Sequence, residues 1–167
     1  MMDLEPDLKA LIEKWGSEGA LYAFLESELE HINRDCFGKR LSLPKLQVKP
    51  MWLSRGLLGE RHSGAEYEPA DGNKSAVIGL FSVVPLDEHS TRIALAHEMI
   101  HHWEMTREEK CQEWSYPKQV NKMIRQHFSG TTKERIWRAA HSARFISKAH
   151  EVAKSLGISV WDLLFRC

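Results

Sequence analysis

The segment 93–100 constrains the fold of this chain most, because it is apolar except for His97 and Glu98. A helix with apolar residues on all sides is typical of the buried centre of a protein. Asp87 suits the N-cap position, which predicts a buried helix from 88 to about 104. Polar side chains inside such a helix are unfavourable unless they find partners, so this pair predicts a specific role.

The polar pair belongs to an HExxH motif at residues 97–101. Histidines four residues apart project from one helix face, so His97 and His101 can together hold a single Zn²⁺ ion. The adjacent Glu98 reaches a water molecule at that ion and can act as its general base. The motif predicts a catalytic zinc site, and the alternative is a chance group of core histidines satisfied by hydrogen bonds.

A catalytic zinc site normally has three protein ligands, so a third ligand must lie further along the chain. His102 is rotated by about 100° from His101 around the helix, which favours a place on the helix surface or behind the ligands. His141 lies next to a row of alanines in a predicted helix, where another helix can approach closely. The residues alone leave these candidates open: His102, His127, His141, His150, Glu104, Glu113, Glu134 and Glu151.

The rest of the chain predicts a single α+β domain over residues 1–167. Two helices are expected, one on each side of Gly16, because leucine and isoleucine recur there at helical spacing. Between 43 and 84, proline and glycine separate the short runs LQV, MWL, AEYE and AVIGLFSVV, which predicts a small mixed sheet of three or four strands. Helices are predicted at 118–128 and at 132–156.

Lysine plus arginine and aspartate plus glutamate number 23 each, which disfavours a globally basic nucleic-acid binder. The charges are unevenly placed, since residues 1–31 are acidic and residues 118–166 are basic. Basic residues near Trp137 and Trp161 predict a DNA contact surface, and the alternative is a solvated helix face with core aromatics. The predicted contacts are Lys133, Arg135, Arg138, Arg144 and Lys148.

The apolar stretches are too short for a membrane helix, and the acidic N-terminus differs from a signal peptide. Three widely spaced cysteines form no CxxC pair, which disfavours a disulfide framework and an all-cysteine zinc site. We therefore expect a cytoplasmic protein in a reducing compartment, without a membrane partner and associated with the nucleoid if DNA is its partner.

Over most of its length the chain resembles the SprT-like (Spartan-type) zinc metallopeptidases. HINRDCFGKRLSLP at 31–44 and AVIGLFS at 76–82 are similar to segments before the family's active-site helix, and LAHEMIH at 95–101 is similar to that helix. HSARF at 141–145 is similar to the element that carries the family's third ligand. The resemblance implies a minimal zincin-like domain with one catalytic Zn²⁺ held by His97, His101 and His141.

The resemblance implies a zinc-dependent endopeptidase that acts on proteins bound or crosslinked to DNA. Glu98 would take a proton from the attacking water and pass it to the leaving amine. Ser142 replaces the family's usual glycine, the interval from His101 to His141 is longer than usual, and the paired cysteines of a C-terminal zinc ribbon are missing. The alternatives are a zinc-binding interaction module without peptidase activity and a DNA-independent processing metalloprotease.

Two further roles have candidates in the sequence. Tyr116, His102 and Arg144 are candidates for stabilising the oxyanion of the reaction. The strand at 76–84, just before the active-site helix, is predicted either to pair with an extended substrate by strand addition or to be an ordinary core strand.

Overall fold

The computed structural model describes residues 6–50, 64–82, 84–106, 116–128 and 130–165. Within these ranges the protein is a mixed α+β structure of seven helices and three strands, which confirms the predicted class. The elements are α1 (Pro6–Trp15), α2 (Glu18–Phe37), β1 (Lys45–Lys49), β2 (Ala65–Glu68), β3 (Val77–Phe81), α3 (Glu88–Met105), α4 (Lys118–Phe128), α5 (Thr132–Ala140), α6 (Ala143–Leu156) and α7 (Val160–Phe165). None of these helices is long and apolar enough to cross a lipid bilayer.

The first two helices are separated at Gly16, as the sequence predicts. Gly16 has a φ of 79°, which glycine adopts without strain. Ser17 then begins α2, because its side chain accepts a hydrogen bond from the backbone N–H of Ala20 at 3.1 Å. The buried side chains of α2 are Leu21, Leu25, Leu29, Ile32, Asn33 and Phe37.

β3 is the central strand of the sheet, with β1 parallel to it on one side and β2 antiparallel on the other. The prediction that this strand accepts an extended substrate is wrong, because both of its edges already bond to neighbouring strands. The alternative, an ordinary core strand, is what the structure contains. The run MWL, predicted as a further strand, lies outside the described residues.

α3 is the buried helix that the sequence predicts. It begins after Asp87, whose side chain accepts a hydrogen bond from the backbone N–H of Ser90 at 3.0 Å. Every residue from 93 to 100 is buried, and the helix contacts α2, α6, α7 and the strands β2 and β3. This burial places His97 and Glu98 in the interior of the protein.

The single helix predicted at 132–156 is wrong, because the structure has two helices there. α5 ends at Ala140, and His141 follows with an extended backbone (φ −129°, ψ 97°). α6 begins after Ser142, whose hydroxyl accepts a hydrogen bond from the backbone N–H of Phe145 at 3.0 Å. The serine cap interrupts the helix, and His141 therefore lies in a turn and not inside a helix.

Candidate metal centre

Three histidines from two distant parts of the chain meet in one cluster. His97 and His101 lie one turn apart on α3, and His141 lies in the turn between α5 and α6. The Nε2 atom of His97 is 3.2 Å from that of His101 and 3.1 Å from that of His141. The structure thus brings together the three residues that were predicted as ligands.

Backbone carbonyl groups hold the second nitrogen of two of these rings. His97 Nδ1 lies 2.7 Å from the carbonyl oxygen of Leu163, and His141 Nδ1 lies 2.8 Å from that of Trp137. A carbonyl oxygen only accepts hydrogen bonds, so each Nδ1 atom carries a proton and donates it. In the neutral imidazole, the Nε2 atom of each ring therefore presents its lone pair to the cluster.

Burial favours the neutral form of all three imidazoles. Burial, together with the charges that His141 and His101 would carry, lowers the pKa of His97 well below its usual range. Burial likewise lowers the pKa of His101 to about 3 and that of His141 to about 4. At neutral pH the Nε2 atoms of His97 and His141 therefore face each other as lone pairs.

The donor set fits a zinc ion. Two nitrogen lone pairs 3.1 Å apart repel each other, whereas a cation between them is attracted to both. In a tetrahedral site with Zn–N bonds of about 2.0–2.1 Å, the ligand nitrogens lie about 3.3 Å apart. The Nε2 separations of 3.2 and 3.1 Å are close to this value, and neutral imidazole is a preferred zinc ligand.

Glu98 follows His97 on α3 and is buried, with only 3% of its surface exposed. Its burial, and to a smaller degree the negative charge of Glu66 on β2, raises its pKa to about 8. A carboxyl group with a pKa near neutrality can both accept and release a proton at physiological pH. This property suits the acid–base role predicted for Glu98.

Aromatic rings form the apolar side of the cluster. The ring of Phe145 lies 5.0, 4.5 and 4.7 Å from the rings of His97, His101 and His141, between centroids. Trp137 stacks on His141 at 4.4 Å with an angle of 22°. Neither aromatic residue was predicted to act at the site, although Phe145 belongs to the HSARF element.

The short helix α7 supports two of the histidines through its backbone. The carbonyl oxygen of Leu163 accepts the hydrogen bond from His97, and that of Leu164 accepts one from the indole N–H of Trp137 at 3.3 Å. Trp137 in turn holds His141 through its own carbonyl oxygen. Such partners orient metal ligands and fix their tautomers. These partners leave no sign in the sequence, because every residue carries the same carbonyl group.

His102 is buried, which excludes the helix surface, one of the two places expected for it. Its Nε2 atom donates to the carbonyl oxygen of Ser42 at 2.7 Å. Its Nδ1 atom then accepts from the hydroxyl group of Tyr67 at 3.0 Å. Both ring nitrogens are engaged by Tyr67 and Ser42, and His102 does not join the other histidines.

We expect His102→Ala to lower the free energy of unfolding by about 2–4 kcal/mol and to leave zinc content unchanged. The substitution opens a cavity and removes the partner of two polar groups. Tyr67→Phe, which removes only a hydroxyl group, should lower the free energy of unfolding by about 1 kcal/mol. Chemical denaturation and metal analysis of the same samples measure both effects, and a folded His102→Ala protein without zinc would contradict the assignment.

The other candidate ligands that the structure describes lie apart from the three-histidine cluster. Those that the structure describes have partners of their own: His127 packs against Phe128 and Phe165, His150 packs against Trp161, Glu134 pairs with Arg138, Glu151 pairs with Lys148, and Glu104 accepts a hydrogen bond from Ser142. Glu113 lies outside the described residues.

The two remaining oxyanion candidates are also engaged elsewhere. The hydroxyl group of Tyr116 contacts the backbone carbonyl oxygens of Arg138, at 3.0 Å, and of His141. The guanidinium group of Arg144 lies 5.1 Å from the centre of the Trp103 ring. The structure therefore favours no candidate for this role.

The predicted DNA contacts fall into two groups. Arg144 and Lys148 lie over the indole ring of Trp103 on α3, at 5.1 and 5.3 Å from its centre. Arg138 donates hydrogen bonds to Asn121 on α4 and Glu134 on α5. These three cations are engaged within the protein. Lys133 and Arg135 are exposed on α5. DNA as a partner stays a prediction.

Comparisons with known proteins found no match among models of protein families, curated proteins or solved structures. The function is therefore inferred from the residues of the site and from their geometry. The strongest of these observations are the three converging Nε2 atoms and the burial of Glu98, the residue that follows His97.

Proposed function

We propose that the protein is a zinc-dependent endopeptidase of the SprT-like type, with one zinc ion held by His97, His101 and His141. The convergence of their three Nε2 atoms is the observation that carries this proposal. In the proposed zincin-like domain, α3 is the HExxH helix. No fourth histidine, cysteine or acidic residue joins the cluster in the described part of the chain. Three ligands are typical of catalytic zinc, whereas structural sites have four, so the set favours the peptidase over an interaction module.

Bound zinc would supply Lewis acidity, which lowers the pKa of water and polarises the carbonyl group of the scissile peptide bond. The proton transfers then fall to Glu98. Its carboxylate accepts a proton from the attacking water and later donates it to the leaving amine. A pKa near neutrality suits both transfers, because the group must be a base first and an acid afterwards.

The surrounding residues prepare the histidines for this role. The carbonyl oxygens of Leu163 and Trp137 keep the Nδ1 protons in place, so that the Nε2 atoms are available as ligands. The ring of Phe145 covers the imidazoles and limits the access of water to them. A site of low polarity strengthens the hydrogen bonds that the Glu98 carboxylate accepts.

Metal removal tests the proposal directly. We expect one zinc ion per chain, loss of hydrolysis of a casein-like substrate when a chelator removes the metal, and recovery when zinc is added back. Because zinc binds the folded chain, zinc at about 1,000 times its dissociation constant should raise the free energy of unfolding by about 4 kcal/mol. Metal analysis, a peptide-release assay and unfolding curves with and without zinc measure these quantities.

Magnesium is the control for this experiment. It prefers oxygen ligands and should restore neither hydrolysis nor stability. Recovery with magnesium alone would contradict a site of three histidines. A folded protein that holds one zinc ion and hydrolyses no protein would instead favour the interaction module.

A further inference from the structure

Glu104 of α3 and Ser142 of the turn between α5 and α6 share a hydrogen bond, in which the Ser142 hydroxyl group donates to the carboxylate. Glu104 follows His101 by three residues, so the two side chains occupy neighbouring positions on one helix face. Ser142 directly follows His141. The bond therefore joins the helix that carries two of the histidines to the turn that carries the third.

The hydroxyl group of Ser142 takes part in two hydrogen bonds. It accepts one from the backbone N–H of Phe145 at 3.0 Å and donates the other to Glu104. The first bond caps α6 and determines where that helix begins. Because Phe145 lies in the first turn of α6, the cap also places the aromatic ring that packs against all three imidazoles.

The turn at His141 depends on contacts of this kind because its backbone is extended and not helical. Its other contacts include the stacking of Trp137, the hydrogen bond from His141 Nδ1 to the Trp137 carbonyl oxygen, and the hydroxyl group of Tyr116, which contacts the His141 carbonyl oxygen. Unlike these contacts, the hydrogen bond from Ser142 has an acidic side chain, Glu104, as its acceptor. Charge-assisted hydrogen bonds are stronger than neutral ones. Glu104 and Ser142 are both half-buried, which reduces competition from water.

We infer that Glu104 is a positioning residue, which acts through Ser142 to hold His141 in place against α3. The inference rests on the proposed zinc site and gives Glu104 a role other than that of a ligand. It holds the third histidine at the distance that zinc requires before the ion arrives. The bond should therefore raise zinc affinity and slow zinc release.

Two single variants and a rescue variant test the role of Glu104. Glu104→Ala and Ser142→Ala should each weaken zinc binding about tenfold, as the loss of an outer partner of a ligand commonly does. Glu104→Gln keeps an oxygen that accepts the Ser142 hydrogen bond and should recover most of the affinity. Glu151→Ala removes an exposed carboxylate of α6 and should bind zinc as tightly as the wild type. Competition with a chromophoric chelator gives the dissociation constants.

A double variant separates positioning from general destabilisation. Glu104→Ala combined with Ser142→Ala should bind zinc no more weakly than the weaker single variant, because both changes remove the same bond. Additive losses, or an unchanged zinc affinity in Glu104→Ala, would overturn the inference. If Glu104→Ala does not fold, Ser142→Ala and Ser142→Thr decide, because threonine keeps the hydroxyl group and should keep the affinity.

Failure of the proposed function would be visible separately in the same samples. A wild-type protein that binds zinc but hydrolyses no protein would refute the peptidase, and the affinities would still decide the role of Glu104. A wild-type protein that binds no zinc would overturn both. Hydrolysis and binding are therefore both measured on the wild-type protein.

Discussion

Replacing Glu98 by glutamine should abolish peptide-bond hydrolysis and leave one zinc ion bound per chain. Glutamine has the shape of glutamate but cannot accept a proton, so the attacking water loses its base. General acid–base catalysis contributes a factor of about 10²–10⁴, and the hydrolysis rate should fall by at least the lower of these values. Glu98 is not one of the three proposed ligands, so zinc content should stay at the wild-type value.

Glu151→Gln is the matched control, because it makes the same chemical change at an exposed position of α6. It should keep both zinc and hydrolysis. Peptide release from a casein-like substrate and metal analysis distinguish the outcomes. Unchanged hydrolysis in Glu98→Gln would refute the catalytic assignment, and loss of its zinc would place Glu98 among the ligands.

The pH dependence of folding offers an independent check on Glu98→Gln. Burial raises the pKa of Glu98 from 4.5 to about 8, so between these values the folded, zinc-free protein holds a proton that the unfolded chain releases. This contribution to stability is present below pH 4.5 and is lost as the pH rises to about 8. Glutamine does not ionise, so the stability of the variant should decline less with pH over this range.

Replacing His141 by alanine should cause the second large effect, the loss of zinc under conditions that saturate the wild type. Of the three proposed nitrogen ligands, His141 is the one that lies in a turn outside α3. The loss of an outer partner of a ligand weakens metal binding by about 10–100-fold. The loss of the ligand His141 itself should weaken zinc binding by more than that. Hydrolysis at limiting zinc should fall with the metal content.

His127→Ala and His150→Ala are the controls for this change, because both histidines pack against aromatic rings away from the cluster. Each should bind zinc as the wild type does. Metal analysis after dialysis against a weak chelator compares the three variants. A normal zinc load in His141→Ala would show that the third ligand is a different residue.

The local part of the site was predictable from the sequence. His97, Glu98 and His101 lie within five residues of one helix, so helical geometry alone determines how they face one another. The third histidine was different, because its approach depends on how distant helices pack. Spacing left eight candidates open for it, and the choice of His141 came from the resemblance of HSARF to a known element.

Other parts of the structure leave weaker traces in the sequence. Apolar periodicity continues from α5 into α6, and the one signal of the break is the capping residue Ser142. Strand order is decided by pairing across the sheet, so the run that became β3 could not be recognised as the central strand. Backbone acceptors such as the Leu163 carbonyl group have no sequence signature at all.

The contribution of α7 has a consequence for the order of events during synthesis. Chains emerge from the ribosome with the N-terminal part first, so all three histidines and Glu98 appear before residues 160–165. A nascent chain that has not reached this helix carries every proposed ligand but lacks the carbonyl groups that hold His97 and Trp137. A peptidase built in this way would complete its metal centre only after residues 160–165 have been translated.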